Sequence, residues 1–262
     1  MPIWRRWRRP CARKPAHRAP QLRLTRLNAL RSVLFALALV IITPPYSLLA
    51  LASFPLPRLA RYHIISGWSR LVIALAQVVL GIRYRVEGLD TLPREPAIIL
   101  SKHQSAWETL AFQVIFPPQV QVLKRELLWI PFFGWGLALM SPIAIDRSRV
   151  TRALKRMAEL GRERLQQGFW IVIFPEGTRT APGERRPYQS GGAWLAKRLG
   201  VPVVPVAHNA GLVWPRNAFI KHPGTVTIRI GPPIASTGLS AEALNRQAEQ
   251  WIESQMDSLC PR

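Results

Sequence analysis

The stretch Phe169-Trp170-Ile171-Val172-Ile173-Phe174-Pro175-Glu176-Gly177-Thr178-Arg179 decides the fold. Its six leading apolar residues show no alternation, and three of them are β-branched. Such a run reads as a strand buried on both faces. Pro175 ends it, because proline cannot donate to a ladder. Gly177 then allows a turn that other residues adopt only with strain.

Working outward, the same kind of element recurs. Residues 97–101 (AIILS) form another short buried run, and residues 119–123 (QVQVL) alternate. Tyr84-Arg85-Val86-Glu87 alternates and stops at Gly88. Further strands are expected over 203–207 and 225–230. Between them lie helical patterns. Over 151–167 Ala153, Leu154, Met157, Leu160 and Leu165 gather near one face, and short and terminal helices are expected over 192–199 and 241–256. Strands alternating with helices predict an α/β layer fold.

Upstream the chain changes character. The formal charge is +22, from 36 Lys and Arg against 14 Asp and Glu. Residues 1–31 carry many arginines and no acid, with Trp4 and Trp7 among the first of them. A hydrophobic content of 48% excludes a disordered or fibrous protein. Cys11 and Cys260 stand near opposite ends, so no disulfide framework or zinc-ligand set can be built. Residues 32–57 contain no charge, which exceeds the roughly 20 apolar residues that cross a bilayer core. Pro44-Pro45 interrupts this run and is expected to end a first helix over 27–43. A second uncharged segment covers 71–82 and can be extended back to Ile64 across Arg70. The region reads as one spanning helix or a pair of them, or as a hairpin dipping into one leaflet. The basic tail puts the N-terminus on the cytoplasmic side.

Three stretches can carry chemistry. In Lys102-His103-Gln104-Ser105-Ala106-Trp107-Glu108, the histidine directly follows a strand. Five residues on a regular helix turn the chain by about 500°, which leaves His103 and Glu108 about 140° apart. They meet only if His103 sits in the loop and Glu108 on the first helical turn. The carboxylate would then orient the ring and stabilise an imidazolium. The segment 124–134 puts Lys124 and Arg125 beside an aromatic stretch, which suits an anionic head with a greasy tail. Arg179, after the glycine turn, offers a planar fork for phosphate. Each stretch alone has a plain structural reading, and Ser105 reads as a helix-start hydroxyl. No metal site is expected, because His63, His208 and His222 lack ligand spacing with carboxylates.

Taken in order, His103–Glu108, the block from Lys124 to Gly134 running on to Asp146-Arg147, the block from Phe174 to Arg179, and Val201-Pro202-Val203-Val204-Pro205-Val206 resemble four sequence blocks of the glycerolipid acyltransferases. Within them the chain is most similar to the 1-acylglycerol-3-phosphate (lysophosphatidic acid) acyltransferases, over about residues 83–235. The resemblance implies a mixed central sheet flanked by helices, behind an N-terminal membrane-embedded helical segment. It divides the chain into a basic tail (1–26), apolar membrane-anchoring helices (27–82), an acyltransferase domain (83–240) and a C-terminal helix (241–262). It implies that His103 is the catalytic base and Glu108 its acidic partner. It assigns Lys124, Glu176, Gly177, Thr178 and Arg179 to the acceptor's glycerol phosphate. Pro205 matches the fourth block's proline. The chain departs from the pattern in carrying Glu108 where Asp is usual, Lys102 where Asn is common, and Gln189 where a Lys often stands.

The implied reaction moves a fatty acyl group from acyl-CoA or acyl carrier protein, with no cofactor, to the sn-2 hydroxyl of 1-acylglycerol 3-phosphate. The partners expected are membrane lipid and the thioester donor, and no nucleic acid. The expected place is the inner or plasma membrane, with the catalytic domain on the cytoplasmic face. Rival readings are an acyltransferase with another acceptor, a non-catalytic basic binding protein, and an ester hydrolase. The chain has no G-x-S-x-G elbow, which argues against the common serine hydrolase.

Overall fold

The computed structural model describes residues 18–146 and 150–260. The tail before Arg18 and the residue Arg147 lie outside the described residues. Seven strands form one sheet in the order β1-β7-β6-β2-β5-β3-β4. They are β1 (Ile82–Glu87), β2 (Ile98–Ser101), β3 (Gln119–Lys124), β4 (Ile143–Ile145), β5 (Trp170–Ile173), β6 (Val203–His208) and β7 (Gly224–Ile230). Among the described residues the β6–β7 strand pair is antiparallel and the other five strand pairs are parallel, so the sheet is mixed.

The helices are α1 (Arg18–Ala52), α2 (Arg58–Leu75), α3 (Trp107–Ile115), α4 (Phe133–Leu139), α5 (Val150–Gln166), α6 (Gly191–Leu199), α7 (Ala210–Val213) and α8 (Ala241–Leu259). Every residue of β2, β5 and β6 is buried, because helices cover both faces. One core layer joins Ile98, Leu100, Ile171, Ile173 and Leu195 to Leu244, Ala248 and Ile252 of α8. The other joins Ile99, Val172, Val204 and Phe112 to Val72 and Ile73 of α2. The C-terminal helix is thus part of the sheet's own packing.

Two expectations for the N-terminal region fail. Helix α1 does not stop at residue 43; it continues through Pro44 and Pro45 to Ala52. Tertiary contacts hold it on both sides of the prolines. Before them, Phe35 packs edge-on against Trp214 at 5.4 Å, and Ser32 Oγ accepts the Lys221 N–H at 2.9 Å. After them, Tyr46 O–H donates to the Ile64 carbonyl at 2.6 Å and Ser47 Oγ to that of Phe132 at 3.0 Å. The second helix starts at Arg58, not near residue 64 or 71, and passes into a five-residue π turn, Ala76–Leu80. Gly81, at φ +71°, turns the chain, so Ile82 opens β1 instead of closing a helix.

The stretches Thr25–Ala52 and Arg58–Leu80 are long and apolar enough to cross a membrane. At 1.5 Å per residue the first, 28 residues, is about 42 Å long. Its outer side is bare hydrocarbon, with Val40 and Ile41 about 70% exposed. Trp129, Ile130 and Trp135 add exposed apolar surface next to it, where α4 packs on α1.

Gly88 closes β1 at φ +80°, and a Cβ there would meet the Ile230 carbonyl oxygen. Gly168 has φ +82° but open space around it. Gly88→Ala is expected to cost about 3 kcal/mol and Gly168→Ala about 1 kcal/mol. Thermal unfolding of the two variants side by side checks the difference.

Candidate active site

The residues singled out from the sequence converge on the carboxyl-terminal edge of β2, β5 and β3, where ligands bind in open α/β sheets. His103 lies in the loop between β2 and α3, and Glu108 is the second residue of α3. The two side chains meet: His103 Nδ1 lies 2.8 Å from Glu108 Oε1.

The same Oε1 accepts the backbone N–H groups of Gln104 at 3.0 Å and Ser105 at 2.8 Å. Reaching back three residues from the first turn is the carboxylate half of a capping box. Ser105 Oγ accepts the Trp107 N–H at 3.1 Å, so its hydroxyl serves the helix start. Burial would raise the Glu108 carboxyl, but the bond from His103 and the Ser105 N–H oppose the rise, and the carboxyl lies below the ordinary range. An ionised Oε1 requires the proton on His103 Nδ1. Nε2 is then the free base, on a side chain still 14% exposed. Phe174 stacks against the ring at 4.1 Å and sets its plane.

His208 stands behind this pair, fully buried in β6. Its Nε2 lies 2.8 Å from the Lys102 carbonyl, and its Nδ1 accepts the Ala210 N–H at 3.3 Å. A neutral ring protonated on Nε2 satisfies both partners, and burial lowers its pKa in the same sense.

The glycine turn after β5 folds back onto the histidine. Gly177 adopts φ +70°, and the Thr180 N–H donates to the His103 carbonyl at 2.8 Å. Arg179 is therefore chain neighbour to a residue bonded to His103, and it is half-buried. Arg216 Nη1 donates to its carbonyl at 2.6 Å, which adds a second guanidinium. Lys124, exposed at the end of β3, lies two strands from β2, about 10 Å across the sheet. Gly177 and Thr178 line an apolar cleft of about 550 Å³ together with Val122, Ile145, Leu154 and Trp194.

Glu176, expected at the acceptor, has a fully buried side chain. Oε2 accepts the His103 N–H at 2.8 Å, while Oε1 meets Lys102 Nζ at 2.7 Å and the Thr180 hydroxyl at 2.8 Å. Burial raises this carboxyl, and Lys102 opposes the rise. The carboxylate thus braces the histidine loop, while the residue also lines the cleft beside Gly177 and Thr178.

Sequence reasoning missed Lys102, Phe174 and His208 as members of the site. The signal for Lys102 was a cation separated by Ser101 alone from the apolar run 97–100, where only a partnered charge can stay. Among the described residues, no cluster of His, Cys, Asp and Glu has the arrangement of a metal site.

Comparisons with known proteins bear on the family and the fold. The family model described as Acyltransferase matches residues 83–209. A 1-acyl-sn-glycerol-3-phosphate acyltransferase of Pseudomonas aeruginosa is 46% identical over 91% of this chain and 95% of its own. The human 1-acyl-sn-glycerol-3-phosphate acyltransferase alpha is 30% identical over 71% of this chain and 67% of its own. The crystal structure of the 1-acyl-sn-glycerophosphate (LPA) acyltransferase PlsC from Thermotoga maritima superposes with a TM-score of 0.75 at 22% identity, covering 91% of this chain and 99% of that one. That likeness carries the fold, including the mixed sheet.

Proposed function

The chain belongs to the 1-acyl-sn-glycerol-3-phosphate acyltransferase family, and we propose that it acylates the free sn-2 hydroxyl of 1-acylglycerol 3-phosphate from a thioester, acyl-CoA or acyl carrier protein. The observation that supports this reading best is the His103–Glu108 contact, which leaves Nε2 as an outward base. In the proposed step Nε2 takes the proton of the acceptor hydroxyl as its oxygen attacks the thioester carbonyl. Glu108 stabilises the imidazolium formed. Collapse of the tetrahedral intermediate breaks the C–S bond, and the leaving thiolate takes the proton back. General base work of this kind contributes roughly 10²–10⁴-fold.

Arg179 and Lys124 are the cations we assign to the acceptor's phosphate, with Arg216 beside the first. Arg179→Ala is expected to raise KM for lysophosphatidate about tenfold, the equivalent of one charge-assisted hydrogen bond. KM for acyl-CoA should move less than threefold, and steady-state kinetics with each substrate varied in turn separates the two.

We further read the bare sides of α1 and α2, with Trp129, Ile130 and Trp135, as the face that enters the bilayer. Both substrates carry fatty chains, so a site at the interface removes the need to extract them into water. The basic N-terminal region adds attraction to anionic lipid, and two such signals give stable attachment. The same charge bias favours a cytoplasmic tail, and a paired crossing or a hairpin would keep the catalytic domain on that side.

The deciding experiment is incubation of purified, detergent-solubilised protein with lysophosphatidate and either acyl-CoA or acyl carrier protein thioester, followed by mass spectrometry. Phosphatidate is the expected product. Free fatty acid alone would favour hydrolysis, and product with glycerol 3-phosphate but none with lysophosphatidate would move the acceptor.

A further inference from the structure

Beneath the histidine loop lies a buried chain of charges that reaches the C-terminal helix. Lys102 is 1% exposed, and its ammonium has three donors and three acceptors. They are Glu176 Oε1 at 2.7 Å, Glu253 Oε1 at 2.8 Å and the Glu184 carbonyl at 3.3 Å. Glu253 belongs to α8, outside the segment that the family model matches. Its Oε1 also accepts the Tyr188 O–H at 2.9 Å, and its Oε2 faces Arg185 Nε at 3.4 Å. At the other end, Glu176 Oε2 holds the His103 N–H. The path runs from α8 through Glu253, Lys102 and Glu176 to the backbone of His103 without a gap.

A buried ion cluster is a poor device for stability. Desolvating several charges costs as much as their attraction returns, and apolar side chains of equal volume often serve better. What such a cluster supplies is direction. A carboxylate that accepts from an ammonium and a backbone N–H has one orientation, and here it fixes where His103 stands relative to Glu108.

We propose that Lys102 and Glu253 are positioning residues for His103, which makes α8 part of the apparatus of acyl transfer. This deepens the function proposed above and rests on it. Neither residue touches substrate, so the loss on removing Glu253 falls on kcat.

The test uses the full chain in detergent. Glu253→Leu is expected to lower kcat at least tenfold, with KM for acyl-CoA and lysophosphatidate within threefold of the wild type. Glu253→Gln keeps an oxygen that accepts from Lys102 and Tyr188, and it is expected to recover kcat to within threefold. A loss below tenfold in Glu253→Leu, a loss that appears in KM, or a Gln variant no better than Leu overturns the proposal. Should Glu253→Leu fail to fold, Tyr188→Phe decides, since it deletes one hydrogen bond to Glu253 and no carbon atom. A threefold or greater fall in kcat at constant KM supports the proposal, and a smaller fall refutes it.

A readout independent of turnover separates this proposal from the function it rests on. Diethyl pyrocarbonate carbethoxylates an accessible imidazole, and peptide mass spectrometry follows the modification at His103. Loosening the loop is expected to speed it at least threefold in Glu253→Leu, and an unchanged rate counts against positioning. A wild-type chain that makes no phosphatidate refutes the assigned reaction alone, and the carbethoxylation rate still decides the role of Glu253.

Discussion

His103→Ala is expected to reduce kcat for lysophosphatidate acylation by about 10³-fold, the middle of the range for a positioned general base. The argument is geometric. Glu108 holds Nδ1 at 2.8 Å and Phe174 holds the ring plane at 4.1 Å, which leaves only Nε2 to meet an acceptor. Alanine removes that nitrogen and little else. The backbone groups of residue 103 keep their bonds to Glu176 and Thr180, so the loop stays in place. Losing the ring contact with Phe174 is expected to cost about 1 kcal/mol of stability. KM for both substrates should stay within threefold, because the imidazole grips neither headgroup nor chain. Retention in the membrane fraction should match the wild type, since α1 and α2 are far along the chain from the change. The measurement is initial rate against acyl-CoA and lysophosphatidate, with membrane retention followed in parallel. Turnover within tenfold of the wild type would remove His103 from the reaction.

The elements near the sheet were legible because their signals are local. Residues 169–174 have no polar face to expose, so they form a central strand wherever they lie, and β5 is found there. The strong amphipathicity over 151–167 likewise matches α5. What escaped depends on partners distant in sequence. Pro44 and Pro45 read as a stop because each lacks an N–H, yet Tyr46 and Ser47 are held by residues 18 and 85 positions away. The short β4 was not recognised as a strand, because three residues at the sheet's edge carry too little pattern. The site divides in the same way. His103 and Glu108 lie five residues apart, and the strand-loop-helix junction between them can be inferred. Glu176 is assigned to the acceptor by the resemblance alone. Its contact with Lys102 and, beyond it, Glu253 is hidden by sequence separation.

Glu108 carries the second large expected effect, and here two variants separate charge from shape. Its Oε1 receives three donors: His103 Nδ1 and the N–H groups of Gln104 and Ser105. Its Oε2 is buried with no hydrogen-bond partner. In Glu108→Gln the amide oxygen can take the place of Oε1 and keep His103 in the same tautomer. The amide nitrogen then falls where Oε2 was, a buried donor with no acceptor, at a cost of about 1–3 kcal/mol of stability. The imidazolium loses its counter-charge but not its orientation, so kcat should fall about 10- to 100-fold, the difference between a charge-assisted and a neutral bond. Glu108→Ala loses orientation as well. Two backbone N–H groups and the ring N–H are left without their acceptor, and α3 loses the anion at its N-terminus. Here kcat should fall about 10³-fold, as low as in His103→Ala, with about 3 kcal/mol of stability lost. The double variant His103→Ala/Glu108→Ala should be no slower than either single one, because the carboxylate acts on the reaction only through the imidazole. Rates for the four proteins, with thermal unfolding beside them, test this directly. Losses that multiply in the double variant would mean that Glu108 acts on the substrate by a route of its own.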